Sequence, residues 1–174
     1  NGAATLAMKP GQTVLVQCDG TGLYAVVIDG PVGDHSIFVT TGNGHGSTNT
    51  RIRRFTTTLS SSGTAISYAD SATLGASFTI NAPGIYAITY SDNYGSSIQP
   101  HGVSVNSAQL TTDVTGVTAA NLLGLTYCIA AGISAVLPIV ALLAAGDVLR
   151  PHTVGIQNGL SAYDTYFSIR RIGA

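Results

Sequence analysis

The chain has 174 residues, of which 45% are hydrophobic and 9% charged, and its net charge is −1. A chain of this length can bury enough surface to fold as one domain without disulfides. Its net charge gives no electrostatic case for nucleic-acid binding, which usually needs a clustered basic surface. The sequence has no Glu and a single Lys, Lys9, which argues against exposed helices. With 21 glycines and many Ser and Thr residues, the composition predicts short strands joined by tight turns.

Residues 1–30 are predicted to form a β-hairpin. Runs rich in β-branched residues at 13–17 and 23–28 flank a turn that contains Asp-Gly. Gly and Pro residues at 30–33 then interrupt the pattern, so we place a boundary there. The sequence does not decide whether Cys18 and Cys128 form a disulfide, and two thiols alone cannot make a zinc site.

Residues 31–55 are predicted to be a linker with a first strand at 36–39. The polar, glycine-rich stretch 40–50 is typical of a mobile loop. Three arginines follow this stretch, Arg51, Arg53 and Arg54. Two hypotheses fit them: an edge strand kept soluble by charge, or a contact with an anion or acidic sugar.

From residue 56 onward the sequence predicts an all-β sandwich or barrel. Short runs rich in β-branched and aromatic residues alternate with Gly, Pro, Asn, Asp and Ser. Residues 128–146 are nearly all apolar and about as long as a membrane span. The segment lacks anchoring residues, so we predict two strands, broken at Gly132, Ser134 and Pro138, that are buried in the core and against a partner subunit. No membrane insertion is expected.

The sequence contains no catalytic motif. All eight acidic residues are Asp, and several adjoin Gly, Asn, Ser or Tyr, as turn residues do. There is no nucleophile elbow, no zinc-protease motif and no phosphate-binding loop. The four histidines are expected in loops or at the surface. We therefore predict no enzymatic activity, no cofactor and no metal site.

Three stretches resemble, in order and spacing, the jelly roll of the tumour-necrosis-factor (TNF) and complement globular-head family. They are ASFTINAPGIYAITY at 76–90, LLAAGDVLRPH at 142–152 and YFSIRRIGA at 166–174. The resemblance implies a sharp corner at Gly84 and a β-turn at Gly146 and Asp147. It also implies that the last strand runs up the middle of one sheet and that the protein is a homotrimer. A metal held by one histidine from each of three subunits stays an alternative to the absence of metal.

A trimer needs an interface, and the aromatic strands supply candidates for it. The predicted interface residues are Tyr86, Ile88, Tyr90, Tyr166 and Phe167. The first three share one face of a strand because side chains alternate along it with a period of two. The alternative is that these side chains fill the core of a single subunit.

A narrower resemblance is to the C-terminal heads of bacteriophage tail or head fibres. It is carried by TVLVQCDGT at 13–21, GVSVNSAQLTT at 102–112 and AAGDVLRPHT at 144–153. The resemblance implies that residues 1–30 end the fibre stalk and that residues 56–174 form a jelly-roll head at the virion surface. It also implies that the head binds a host cell-surface glycan or protein.

The receptor contact is predicted in the loop 92–101, whose composition suits sugar binding. The candidate residues are Asp92, Asn93, Tyr94 and His101. Three alternatives remain: a capsid decoration or head fibre with no dedicated receptor, a bacterial spore or surface jelly-roll module, and a polysaccharide-degrading enzyme.

Overall fold

The strands of this chain form two five-stranded antiparallel sheets and a two-stranded hairpin. They are seen in a computed structural model that describes residues 13–18, 23–28, 35–95, 98–155 and 163–173. The strands are β1 Thr13–Cys18, β2 Leu23–Ile28, β3 Ser36–His45, β4 Arg53–Ser62, β5 Ile66–Ser71, β6 Gly75–Ile80, β7 Gly84–Asn93, β8 Gln99–Val105, β9 Leu122–Cys128, β10 Ser134–Leu143, β11 Val148–His152 and β12 Tyr166–Gly173. Within those ranges the helical elements are two short 3-10 turns, and none could cross a bilayer.

The predicted N-terminal hairpin is confirmed. Strands β1 and β2 pair antiparallel, in a continuous register from Thr13 opposite Ile28 to Cys18 opposite Leu23. The Asp-Gly turn of the prediction lies outside the described residues. The role of this hairpin as the end of a stalk stays a prediction.

The two larger sheets have the strand orders that a jelly roll produces. Sheet I runs β10-β7-β12-β3-β4, and sheet II runs β5-β6-β11-β8-β9. Apart from the consecutive pairs β3-β4, β5-β6 and β8-β9, neighbouring strands come from distant parts of the sequence because the chain crosses repeatedly between the sheets. Strand β12 pairs with both β7 and β3, so the predicted central position of the last strand is confirmed.

The core lies between the inward faces of the two sheets. In β7 the side chains of Tyr86, Ile88 and Tyr90 are buried, and the intervening positions are more exposed, as the alternation of a half-buried strand requires. Phe78 of sheet II stacks on Phe167 of sheet I, with ring centroids 4.2 Å apart. Aromatic contacts of this kind join the sheets across the middle of the sandwich.

The sandwich begins earlier than the sequence predicts. Strand β3 is ten residues long, includes much of the stretch expected to be a loop, and pairs with both β12 and β4. Its register against β4 shifts between Gly42 and His45, and Thr41 and Gly44 have positive φ values. This irregular strand end looks like a loop in sequence because bulges use the same residues as turns. The described residues from 36 to 55 therefore belong to the head, and the linker predicted there is corrected.

The apolar run at 128–146 also differs from the prediction. It contains the end of β9 and one further strand, β10, which forms an edge of sheet I. Leu137 and Leu143 are buried, whereas Val140 is 69% exposed and Leu142 is 78% exposed. Pro138 lies within β10, and an edge strand tolerates the missing N–H. Within a single chain β10 is therefore buried on one face only, and residues 129–133 and 144–146 of the run are exposed.

Two predicted turn glycines have the backbone that glycine favours. Gly84 opens β7 with φ +154°, and a Cβ there would collide with the carbonyl oxygen of Gly173. Gly146 has φ +94°, and its N–H donates to the carbonyl of Ile80 at 2.7 Å. The Asp147 carboxylate accepts from the Ala144 N–H at 2.8 Å and closes the turn into β11.

Candidate functional site

The four residues predicted to contact a receptor lie inside the protein. Asp92, Tyr94 and His101 are fully buried, and Asn93 is 6% exposed. Asp92 and Asn93 end β7, His101 lies in β8, and residues 96 and 97 between them lie outside the described part. These side chains have almost no surface with which to contact a receptor, so they build the interior of this end of the sandwich.

Asp92 forms a buried ion pair with Arg53. The Arg53 Nε and Asp92 Oδ2 atoms are 3.0 Å apart, and neither side chain is exposed. The Asp92 carboxylate also accepts from the Tyr90 hydroxyl at 2.7 Å and from the Asn93 N–H at 2.9 Å. Burial raises the pKa of Asp92, while Arg53 and these two donors act in the opposite direction. The network joins β4 to β7 in the interior.

The arginine cluster is satisfied within the chain. Arg51 donates to Asp113 at 2.7 Å, and Arg54 donates to Asp70 at 2.9 Å. With Arg53 on Asp92, each of the three has a carboxylate partner. Strand β4 is an edge of sheet I, as the first hypothesis expects, but Arg53 is fully buried and does not add charge to that edge.

His101 is a core histidine packed on two tyrosines. Its ring centroid is 4.7 Å from that of Tyr90 and 5.9 Å from that of Tyr94. Burial lowers the pKa of His101 to about 4, although the backbone of Tyr90 and of Ala135 opposes the shift. The folded protein therefore holds this ring neutral at physiological pH.

We expect the free energy of unfolding to decrease as the pH falls from 6.5 towards 4. In that window the unfolded chain protonates His101, whereas the folded chain does not, so acid favours the unfolded state; above pH 6.5 the contribution is complete. A shift of this size corresponds to about 3 kcal/mol at most. His101→Phe keeps an aromatic ring between the tyrosines and should flatten the slope.

Urea unfolding across this pH window measures the effect. The variant should keep part of this pH dependence, because burial also lowers the pKa of His45 to about 4 and lowers the pKa of His152. The raised pKa of Asp92 has the opposite effect, because it increases the free energy of unfolding as the pH falls. If the free energy of unfolding of His101→Phe depended on pH as steeply as that of the unmodified chain, the assignment of this pH dependence to His101 would be wrong.

The predicted interface residues divide between the core and the surface. Tyr86, Ile88, Tyr90 and Phe167 are each at most 1% exposed within the single chain. Burial therefore supports the alternative that these four fill the subunit's own core. Tyr166 faces outward and contacts Phe38 edge-to-face, with ring centroids 5.6 Å apart. The sequence predicts the two faces of these strands but not which face is the core.

The outward face of sheet I is apolar at its β10 side. We call this region the apolar margin. Its residues are Val136, Pro138, Val140 and Leu142 of β10 and Ile85 of β7. Leu142 pairs with Ile85 across the two strands, so these side chains are contiguous. Exposed apolar groups in one contiguous patch indicate an interaction surface.

A shallow depression of about 510 Å³ lies beside the margin on the same face. We call it the central depression. Its lining residues are Ser36, Ile37, Phe38, Ser60, Thr89, Tyr166, Ser168 and Arg170. The two aromatic rings and several hydroxyls give it a mixed apolar and polar floor.

The edge of the sandwich formed by β9 and β10 carries no charge. From Val114 to Gly146 the sequence contains no Asp, Glu, Lys or Arg. Strand β9 ends sheet II and β10 ends sheet I, so each has one edge that pairs with no described strand. Proteins usually protect such edges with charge, so an uncharged pair of edges is expected to be covered by another chain.

No group of three His, Cys or Asp side chains that could hold a metal is found within the described ranges. Cys128 is buried and free, and burial raises its pKa to about 11, so the thiol is neither charged nor accessible.

No family model and no curated protein matches this sequence. Solved structures do match. The crystal structure of murine APRIL at pH 8.5 is 13% identical with a TM-score of 0.58, covering 78% of this chain and 97% of that chain. The structure of Eiger TNF from S. frugiperda is 11% identical with a TM-score of 0.53, covering 80% of this chain and 92% of that one. These identities show the fold alone, which is a TNF-like jelly roll.

Proposed function

We propose that this TNF-like jelly roll is the homotrimeric head of a bacteriophage fibre, which binds a host cell-surface glycan or protein from the virion surface. The observation that carries the proposal is the apolar margin next to the uncharged edge of β9 and β10. The three sequence stretches that resemble phage fibre heads support the phage assignment. The proposed role is binding, so it requires no catalytic residues.

The outward face of sheet I provides two different surfaces for subunit contact. The apolar margin lies at one side of the sheet, and the central depression lies over β12, β3 and β4. We propose that the margin of one subunit packs into the depression of the next. Two unlike patches make a head-to-tail contact, which closes into a ring when the rotation allows it. The family resemblance sets the ring size at three.

The energetics favour covering the margin. Full burial of one Val, Leu or Ile side chain contributes about 1.5–3 kcal/mol, and each of three contacts would bury several. Three receptor sites on one head, and several heads on one particle, then convert a weak single contact into strong attachment through avidity.

Light scattering of the purified chain tests the assembly. We expect a mass of three times 17.7 kDa, and a stable mass of 17.7 kDa would refute the trimer. Labelled trimer mixed with host cells tests attachment. Retention that is lost after periodate treatment of the cells indicates a glycan, and loss after protease treatment indicates a protein. An intact trimer that no cell retains would favour the capsid decoration.

A further inference from the structure

We infer that a depression around Arg150, on the outward face of sheet II, binds the carboxylate of an acidic sugar. The inference rests on the proposed receptor-binding function and names the class of receptor. It is carried by one arginine whose surroundings differ from those of the others.

Most of the arginines already have partners. Arg51, Arg53 and Arg54 pair with aspartates, and Arg171 donates twice to the carbonyl of Pro83, at 2.7 and 3.1 Å. Arg170 is exposed on sheet I, at the central depression.

Arg150 is different because it is partly buried without a counter-charge. No carboxylate of the described residues pairs with it, and its Nη1 donates one long hydrogen bond, 3.4 Å, to the carbonyl of Ala76. Burial alone lowers its pKa, since no aspartate opposes the shift. Partial burial of an uncompensated charge costs free energy, which an anionic ligand would offset.

The remaining carboxylates of the described residues are engaged elsewhere. Asp147 accepts from Asn106 at 2.7 Å and from the Ala144 N–H at 2.8 Å, and Asp164 accepts from Ser134 at 2.9 Å. An anion that neutralises the Arg150 guanidinium is therefore expected to come from outside the described residues.

The Arg150 depression has a volume of about 380 Å³, within the range of small-molecule sites. Its other lining residues are Asn106, Ser107, Ala108 and Val148. Ser107 Oγ accepts from the Gln109 N–H at 3.1 Å, so its own proton can be donated to a ligand oxygen. Val148 and Ala108 add an apolar wall against which the C–H face of a sugar ring can pack.

The rim of this depression is held in place. The Asn106 N–H donates to the Val148 carbonyl at 2.9 Å, and the Asn106 side-chain oxygen accepts from the Val148 N–H at 2.8 Å. The Asn106 side-chain amide also donates to the Asp147 carboxylate, so a negative charge lies near the rim. That charge disfavours a doubly charged phosphate more than a singly charged carboxylate. A planar guanidinium also matches a carboxylate with two parallel hydrogen bonds.

The position of the depression is compatible with the proposed trimer. Arg150 lies in β11, the middle strand of sheet II, whereas the proposed subunit contacts use the outward face of sheet I. The two outward faces point away from each other across the core. Each subunit of a trimer would therefore keep its own accessible site.

The test is a titration of the isotope-labelled protein, followed by NMR chemical shifts, with N-acetylneuraminate, glucuronate, glucose and inorganic phosphate. We expect saturable shifts around Arg150 with the two acidic sugars and at least tenfold weaker binding of glucose and phosphate. Equal binding of glucose would overturn the inference, and phosphate binding as tight as the acidic sugars would overturn the carboxylate assignment.

Variants make the test specific to the site. Arg150→Gln should weaken acidic-sugar binding at least tenfold, and Arg150→Lys several-fold, because lysine keeps the charge and loses the paired geometry. Ser107→Ala should weaken binding without disturbing the fold, so it serves if Arg150→Gln does not fold. The matched control Arg171→Gln, in β12 of the opposite sheet and outside both depressions, should bind as the unmodified chain does. Unchanged binding by Arg150→Lys and Ser107→Ala would overturn the inference.

Light scattering of the same samples separates this inference from the proposed function. Trimers that bind no acidic sugar would refute the Arg150 site but not the proposed trimeric head. Monomers that bind acidic sugars at Arg150 would refute the trimer and keep the site.

Discussion

Asp92→Asn is expected to lower the free energy of unfolding by about 3–5 kcal/mol, because it leaves the Arg53 guanidinium buried without a counter-charge. Both side chains of the pair are fully buried, so water cannot replace the lost carboxylate. The variant also weakens an acceptor for the Tyr90 hydroxyl. Urea denaturation followed by circular dichroism measures the loss.

Two further variants separate charge burial from other causes. The double variant Arg53→Met with Asp92→Leu removes both charges and should recover much of the lost stability, since apolar replacements of buried pairs are often tolerated. Asp70→Asn breaks the Arg54 pair, whose side chains are about one-fifth exposed, and should cost roughly 1 kcal/mol or less. A double variant as unstable as Asp92→Asn would contradict the explanation.

Val140→Asp is expected to dissociate the proposed trimer into folded monomers. The side chain is 69% exposed in the single chain, so the aspartate is well solvated there and should barely change the stability of the monomer. In the trimer each copy would bury a charge in an apolar contact, at a cost of several kcal/mol per site. Light scattering should show the mass falling towards 17.7 kDa, while circular dichroism keeps the β spectrum.

Leu74→Asp is the matched control for this change. Leu74 is 43% exposed and lies in the turn between β5 and β6 of sheet II, away from the apolar margin. This variant should stay trimeric. A Val140→Asp trimer as stable as the unmodified one, or a Leu74→Asp monomer, would place the subunit contact elsewhere.

Much of the fold could be predicted because its signals are local. Gly84 and Gly146 mark turns that need an unusual backbone, and the strand after Gly84 alternates in side-chain size with a period of two. The central position of β12 was predicted from the family resemblance, through the order of its three motifs. These features depend on short-range geometry or on motif order, both of which are present in one sequence.

The burial of the predicted receptor residues could not be predicted, because it depends on distant partners. Asp92, Tyr94 and His101 have the composition of a binding loop. The guanidinium that neutralises Asp92 comes from Arg53 on another strand, and Tyr94 packs on His101 from the next one. No local pattern shows that a charged residue has a partner close in space.

The orientation of the strands was ambiguous for a different reason. The alternation in β7 predicts two faces, and aromatic residues suit both a core and an interface. Strand β10 is apolar on both faces, so its pattern alone does not distinguish the buried Leu137 from the exposed Val140. That distinction depends on which strands lie beside it.

The central position of β12 also has a consequence for protein synthesis. The ribosome produces β3, β4, β7 and β10 before β12, which alone joins β3 to β7 in sheet I. Until β12 emerges, this sheet exists at most as two strand pairs with open edges, and the apolar β10 belongs to one of them. The head is therefore expected to complete its fold only after β12 has left the ribosome, through contacts of large sequence separation that form slowly.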